Sequence, residues 1–134
     1  MNSQLEVIYP WKIGDGKNND SIVLYGKLLD KRFLFTGDLE KDGEMKILKR
    51  YSKIPIDILK VGHHGSKGSS DQRFLDFINP KIAFISAGKN NRFKHPHQET
   101  LDRLNDKKIK IYRTDQQGAI RLYGNQTWQI ETVR

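Results

Sequence analysis

The chain of 134 residues carries a net charge of +8, contains no cysteine, and is 36% hydrophobic and 30% charged. This length suits one domain, residues 1–134, with a single core, and the lack of cysteine excludes disulfides and thiolate metal ligands. No apolar run reaches the roughly 18 residues that a membrane helix needs, and residues 1–6 lack the basic and apolar pattern of an export signal, so no membrane span is expected.

The positive charge is concentrated in residues 81–113. This stretch has nine Lys or Arg residues against three Asp or Glu residues, so it carries +6 of the net charge of +8. A basic patch favours anionic partners, nucleic acid first, because each contact with a phosphate releases counterions. An ordinary solvated surface rich in lysine is the alternative interpretation.

The first elements in chain order are predicted to be strands. Residues 5–10 form a β-prone run, and residues 11–20, rich in Gly, Asn and Asp, form a loop. Residues 21–29 and 31–36 are apolar and β-prone around a short polar turn. This pattern predicts a hairpin that follows the first strand.

A helix is predicted to begin at Asp38, which can cap it, and to run to about Tyr51, before Pro55. Its inner side would carry Leu39, Met45 and Leu48. The continuous apolar run that follows, residues 56–61, is typical of a strand in a sheet that is covered on both faces.

Two further helices are predicted in the second half. Ser69, with Gln72 three residues later, resembles a capping box for a helix that buries Phe74, Leu75 and Ile78 and stops at Asn79. Pro96 suits the first turn of a helix that runs to about Asp106.

The remaining apolar runs are predicted to be strands: residues 82–86, 110–113, 119–123 and 127–132. Strands and helices alternate in the middle of the chain, which predicts an α/β fold with a partly parallel sheet, flanking helices and antiparallel strands at its ends.

Asp38, His63 and His64 each follow a predicted strand, at the sheet edge where α/β proteins place their sites. Carboxylate and imidazole are the usual ligands of a hydrolytic metal site, so these residues are candidate ligands for zinc or manganese. The alternative for Asp38 is a helix cap that uses the same oxygen. Adjacent histidines normally diverge, so one of the pair is expected to ligate and the other to pack or orient a neighbour.

Two polar loops are candidate phosphate contacts. Ser66 and the residues after it, 67–70, offer hydroxyl and N–H groups at a predicted helix start, where a flexible cap is the alternative. The loop before His95 supplies Lys89 and Asn91, and the alternative is that both are ordinary residues of a solvated surface. His95 is a candidate proton donor to a leaving oxygen, whereas His97 is expected to face solvent.

Five segments occur along the chain in this order: Asn-Asp-Ser-Ile-Val-Leu, Phe-Leu-Phe-Thr-Gly-Asp-Leu-Glu, Asp-Ile-Leu-Lys-Val-Gly-His-His-Gly-Ser, Ile-Ser-Ala-Gly-Lys-Asn-Asn-Arg-Phe-Lys-His-Pro-His and Tyr-Arg-Thr-Asp-Gln-Gln-Gly-Ala-Ile. Together they resemble the metallo-β-lactamase-fold domain at the C-terminus of the competence DNA-uptake family ComEC, and the similarity covers nearly the whole chain.

The resemblance implies a four-layer αββα sandwich and the two-metal hydrolysis of esters, amides or phosphodiesters. It implies that Asp38 bridges the two metals and that one of the histidine pair, preferably His64, is a ligand. His95 is then a candidate acid or substrate contact.

The chain departs from the family pattern in its first metal motif, a His-x-His-x-Asp-His loop, because it has no histidine before His63. The resemblance therefore implies the C-terminal half of the sandwich, with a partial set of metal ligands. A partial domain of this kind is expected to self-associate or to pair with a separate N-terminal half.

Three hypotheses about function follow. The chain is part of a metal-dependent phosphodiesterase that acts on DNA or a nucleotide, or it is a catalytically inactive nucleic-acid-binding module, or it is a fragment with no function by itself. The family role ranks first for the parent domain, and a lack of independent catalysis ranks first for this chain alone.

Overall fold

A six-stranded mixed sheet organises the fold in the computed structural model, which describes residues 4–124 and 127–133. Its strands lie side by side in chain order. The pairs β1·β2 and β2·β3 are antiparallel, and the pairs from β3 to β6 are parallel. The strands are β1 (Gln4–Tyr9), β2 (Val23–Leu28), β3 (Lys31–Phe35), β4 (Ile58–Lys60), β5 (Ile82–Ile85) and β6 (Lys110–Arg113).

From β3 onward each strand of the large sheet is followed by a helix, and long loops follow β4 (residues 61–71) and β5 (residues 86–97). They are α1 (Lys41–Arg50), α2 (Gln72–Ile78), α3 (Gln98–Asp106) and the single turn α4 (Thr114–Gln117). Two 3-10 turns occupy Asn18–Asp20 and Gly62–Gly65. No helix within the described ranges is both long and apolar enough to cross a membrane.

A separate two-stranded antiparallel sheet follows α4, formed by β7 (Ala119–Gly124) and β8 (Trp128–Val133). Side chains along β7 alternate between exposed and half-buried, as expected for a hairpin with one covered face. The Lys31 ammonium lies 4.8 Å from the centre of the Trp128 ring, which places this hairpin near the start of β3.

The main core lies on one face of the large sheet. Side chains alternate along a strand, so Leu34, Leu59 and Ala83, which are aligned in register, share that face. They are buried together with the apolar side chains of the three longer helices, namely Ile47, Phe74, Leu75, Ile78 and Leu104. The inward residues predicted for α2 are therefore confirmed.

The opposite face carries a second row of aligned residues. Phe33 and Ile58 are buried there, outside the main core. One row closer to the strand ends, Phe35, Lys60 and Phe84 are only half-buried. The sheet is thus covered fully on one face and partly on the other.

The predicted α/β class with a mixed sheet and flanking helices is confirmed, and most predicted elements are found within a few residues of their expected bounds. All three predicted helix starts were wrong. Helix α1 begins after Glu40, not at Asp38, and α2 is capped by Asp71, whose side chain accepts from the Arg73 N–H, not by Ser69. Helix α3 begins at Gln98 after its N-cap residue His97, so Pro96 precedes the first turn. A further difference is at the C-terminal end, where β6 is parallel to β5 and the last two strands form their own sheet.

Candidate metal and phosphate site

Three loops meet at the edge of the sheet where the parallel strands end. The His63 N–H donates to the Gly37 carbonyl over 2.9 Å, which ties the loop after β4 to the loop after β3. The His97 N–H donates to the Gly65 carbonyl over 3.0 Å, which adds the loop after β5. The three histidine- or aspartate-bearing loops selected from the sequence are therefore neighbours in space.

The loop Gly62–Gly65 turns sharply, with His63 at φ 48° and His64 at φ 55°. Both are in the left-handed region, which non-glycine residues rarely adopt. Gly65 has φ 86°, and a Cβ atom there would lie 2.5 Å from Cβ of Pro96. Glycine is therefore required for the close approach of this loop to the loop that carries His95.

His64 is held in one tautomer by a backbone carbonyl just after β5. Its Nδ1 lies 2.7 Å from the carbonyl oxygen of Ser86, which can only accept, so Nδ1 carries the proton. The lone pair is then on Nε2, on an exposed side chain. Histidines that bind metals commonly donate their other N–H to a backbone carbonyl in this way.

His63 points in a different direction from His64, with ring centroids 6.5 Å apart and planes inclined by 59°. Its Nδ1 is 3.5 Å from Oε1 of Glu40. Nδ1 is buried and has no hydrogen-bond partner among the described residues. A buried nitrogen without a partner is costly, so it marks a position where a ligand or ion would be stabilising.

His95 lies between the other histidines, with its ring centroid 5.5 Å from that of His63 and 6.2 Å from that of His64. Burial, followed by the nearby histidines, lowers the pKa of His95, and the Asp38 carboxylate partly opposes this shift. Asp38 itself is exposed, and its backbone N–H donates to the Ser21 hydroxyl. The lowered pKa favours a neutral His95 imidazole near neutral pH.

His97 was predicted to face solvent, and this prediction was wrong. The Lys67 N–H donates to its Nδ1 over 3.0 Å, so the proton is on Nε2, which lies 3.0 Å from the Phe93 carbonyl oxygen. Both ring nitrogens are thus engaged with backbone groups, and the half-buried His97 side chain connects the two polar loops.

The predicted phosphate contacts differ in accessibility. Ser66 is buried, and its hydroxyl accepts from the Gly68 N–H. The Asn91 amide donates to the Gly88 and His95 carbonyls over 2.9 and 2.7 Å, and its oxygen accepts from the His95 N–H. Asn91 therefore shapes the loop, whereas Lys89 is exposed to solvent.

Sequence reasoning missed three contributors to the site: Lys60, Glu40 and the Ser86 carbonyl. Burial lowers the pKa of Lys60, and the Asp38 carboxylate opposes this shift. Lysine is unusual in an apolar strand, and that signal was available in the sequence. The Ser86 carbonyl carries no sequence signal, because every residue has a carbonyl.

The donor chemistry suits a divalent metal, but the described ligands do not converge. Among residues 4–124 and 127–133, no group of three or more His, Asp or Glu side chains could hold a metal ion. His64 has a lone pair available on Nε2, and Asp38 has an exposed carboxylate. These residue types fit zinc or manganese.

The sequence pattern described as the Metallo-beta-lactamase superfamily matches residues 4–89, which is more than half of the chain. The chain belongs to this superfamily. Its fold agrees with that membership, and the superfamily resemblance in the motifs is confirmed. Divalent metal use is general in this superfamily.

Three curated relatives match most of this metallo-β-lactamase chain. It is 50% identical to ComE operon protein 3 of Bacillus subtilis (strain 168) over 104 residues, 78% of the chain and 13% of the relative. It is 36% identical to Competence protein ComA of Neisseria gonorrhoeae over 104 residues, which are 77% of the chain and 15% of the relative. It is 34% identical to Recombination protein 2 of Haemophilus influenzae over 110 residues, which are 82% of the chain and 12% of the relative. The chain thus spans less than a sixth of each of these relatives.

Proposed function

We propose that this chain is part of a metal-dependent hydrolase that cleaves phosphodiester bonds of DNA during DNA uptake in natural competence. Superfamily membership supports the metal-dependent hydrolase, and the names of two relatives, ComE operon protein 3 and Competence protein ComA, support the competence role. The net charge of +8 favours a polyanionic substrate. The observation that carries the proposal is the pair of backbone hydrogen bonds that joins the three loops.

In this proposal Asp38 and His64 hold the metal, with His63 beside them. A bound divalent ion would lower the pKa of a water molecule and polarise the phosphoryl group. The Ser86 carbonyl fixes the proton of His64 on Nδ1, which leaves Nε2 to bind. His95 contacts the leaving oxygen through a ring N–H, which a neutral imidazole can donate. Lys89, Asn91 and Ser66 orient the phosphate, Lys89 through its charge and the other two through the shape of their loops.

The same proposal includes a partner for the site. Catalytic zinc typically has three protein ligands, and Asp38 and His64 supply two. The remaining ligands would come from an N-terminal half of the domain outside these 134 residues or from a second copy of this chain. Strand β1 lies at an edge of the sheet and exposes Leu5 and Val7, so it offers a surface for such pairing.

A catalytically inactive DNA-binding module is the second candidate function. It is favoured by the lack of a converging group of three ligands within the described ranges. In this candidate function DNA would be bound by the exposed cations of the loop that ends at His95, namely Lys89, Arg92 and Lys94. DNA binding that depends on salt and survives the loss of Asp38 and His64 would support this candidate.

Isothermal titration of Mn²⁺ and Zn²⁺ into the metal-stripped chain tests the proposal. We expect binding by the wild-type chain, with a second copy completing the ligand set, and its loss in Asp38→Ala and in His64→Ala, because each substitution removes one of few ligands. Asp106→Ala is the matched control, since Asp106 is an exposed carboxylate in the last residue of α3. Wild-type chain that takes up neither metal would exclude catalysis by this chain alone and leave the binding module as the better candidate.

A further inference from the structure

Phe93 is an exposed aromatic residue in the charged loop that leads to the histidines. Its exposed fraction is 59%, and its neighbours Arg92 and Lys94 are also exposed. A single exposed apolar residue is common on protein surfaces. Its position beside His95, however, is fixed by several contacts.

The Phe93 ring lies against His95, with ring centroids 5.7 Å apart and planes inclined by 21°. The Arg92 guanidinium lies 4.7 Å from the centre of the same ring. The Phe93 carbonyl accepts from Nε2 of His97 over 3.0 Å, and the Asn91 side chain bridges the loop to the His95 backbone. The hydrogen bonds of the Phe93 carbonyl and of the Asn91 side chain therefore hold this loop, and with it the Phe93 ring, next to the candidate site.

We infer that Phe93 is a stacking platform for an unpaired nucleobase and that the preferred substrate of this site is single-stranded nucleic acid. The inference rests on the proposed function, because it assigns the substrate of that same site. Aromatic rings flanked by cations are the usual means of binding single strands, whose bases expose their faces. The bases of a duplex are stacked on each other and offer no such face.

The incoming base replaces Arg92 on the exposed part of the Phe93 ring. A cation–π contact at an exposed site is weaker than a stacked base, so the exchange is favourable. The released guanidinium then pairs with the neighbouring phosphate, together with the exposed Lys89 and Lys94. The strand is thereby aligned with its backbone near His95.

The chain contains a matched control for this arrangement. Tyr123 on β7 has an exposed fraction of 37%, and the Arg121 guanidinium lies 4.7 Å from the centre of its ring. An arginine–aromatic pair at the same distance thus occurs on the hairpin, on a different element from the loops that carry the histidines. The hairpin pair has Tyr123 in place of phenylalanine, and it tests whether any exposed arginine–aromatic pair of this chain would bind a base equally well.

The test is fluorescence anisotropy of a labelled single-stranded oligonucleotide of about ten nucleotides, within the usual site sizes, and of the corresponding duplex, in the presence of a metal chelator. We expect Phe93→Ala to weaken single-strand binding by roughly 5- to 160-fold, the range that loss of one base stack produces. Phe93→Trp should retain binding, and Tyr123→Ala should match the wild-type chain. The slope of log K against log salt should be unchanged in Phe93→Ala, because no phosphate contact is removed.

Equal affinity of Phe93→Ala and the wild-type chain for the single strand would overturn the inference, as would an equal loss for single strand and duplex, or no binding by the wild-type chain. A different set of results would exclude the proposed function. If metal titration and hydrolysis of the same oligonucleotide with Mn²⁺ are negative while binding depends on Phe93, the hydrolase is excluded and the stacking platform stands. If hydrolysis occurs and Phe93→Ala cleaves and binds normally, only the stacking platform is excluded.

Discussion

At the scale of single residues, the sequence was sufficient to find the candidate site but not to assign its tautomers. The histidines and Asp38 were found because they follow apolar strands. The proton positions on His64 and His97 depend on the Ser86 carbonyl and the Lys67 N–H, which are distant in sequence. No local pattern encodes these partners, so the solvent-facing prediction for His97 was wrong.

Glu44 is a buried carboxyl group that sequence reasoning did not single out. It lies on α1, and its two oxygens accept from the Ser70 and Asp71 N–H groups over 2.6 and 2.9 Å. Burial is the largest influence and raises the pKa of Glu44 from 4.5 to about 7, although the two backbone hydrogen bonds oppose it. The folded state therefore retains the Glu44 proton at a pH where the unfolded chain has released it.

We predict that the free energy of unfolding falls as the pH rises from about 4.5 to about 7, because in this window the folded state binds more protons at Glu44 than the unfolded state does. The total change is on the order of 3 kcal/mol. Urea titrations at several pH values would measure it. Glu44→Gln, which cannot ionise, should lose this part of the pH dependence. A pH dependence that is equally large in Glu44→Gln would contradict the assignment.

At the scale of the elements, strand and helix types were predictable and helix starts were not. The apolar periodicity located α1, α2 and α3, because their buried faces follow the helical repeat. The start of α1 depends on Asn19, whose side-chain oxygen accepts from the Glu40 and Gly43 N–H groups over 3.1 and 3.0 Å. A cap supplied by a loop more than twenty residues away has no local sequence signature, so Asp38 was assigned that role instead.

We predict that Asn19→Ala lowers the free energy of unfolding by about 1 to 2 kcal/mol, because two N–H groups at the start of α1 lose their acceptor. Asn19→Asp should remain close to the wild-type chain, since it keeps an acceptor and adds a negative charge near a helix N-terminus. Thermal or urea unfolding would measure both. Asn18→Ala is the control, because Asn18 is exposed and its amide donates to the Glu40 side chain, not to a backbone group at the start of α1. A larger loss in Asn18→Ala than in Asn19→Ala would contradict this role.

At the scale of the whole molecule, the parallel sheet was predictable because its strands are separated by helices. The placement of β7 and β8 in their own sheet was not predictable. Alternation along a strand shows that one face is buried, but it does not show which element covers that face. The sheet also leaves one antiparallel edge strand, β1, with exposed Leu5 and Val7. Edge strands of this type readily pair with another chain.

We predict concentration-dependent self-association of the wild-type chain, measured by sedimentation velocity, and a marked reduction in Val7→Lys. A lysine on β1 adds charge at the centre of the exposed edge and disfavours pairing. Ile13→Lys is the matched control, since Ile13 is fully exposed but lies in the loop after β1. A monomeric wild-type chain at all concentrations would show that this edge does not mediate pairing.

The left-handed conformations of His63 and His64 have a consequence for the thermodynamics of ligand capture. Each unfavourable backbone conformation costs on the order of 1 to 2 kcal/mol, and this cost is incurred when the chain folds. In the proposed function the histidine loop is therefore already ordered before an ion binds, so little conformational entropy is lost at that step.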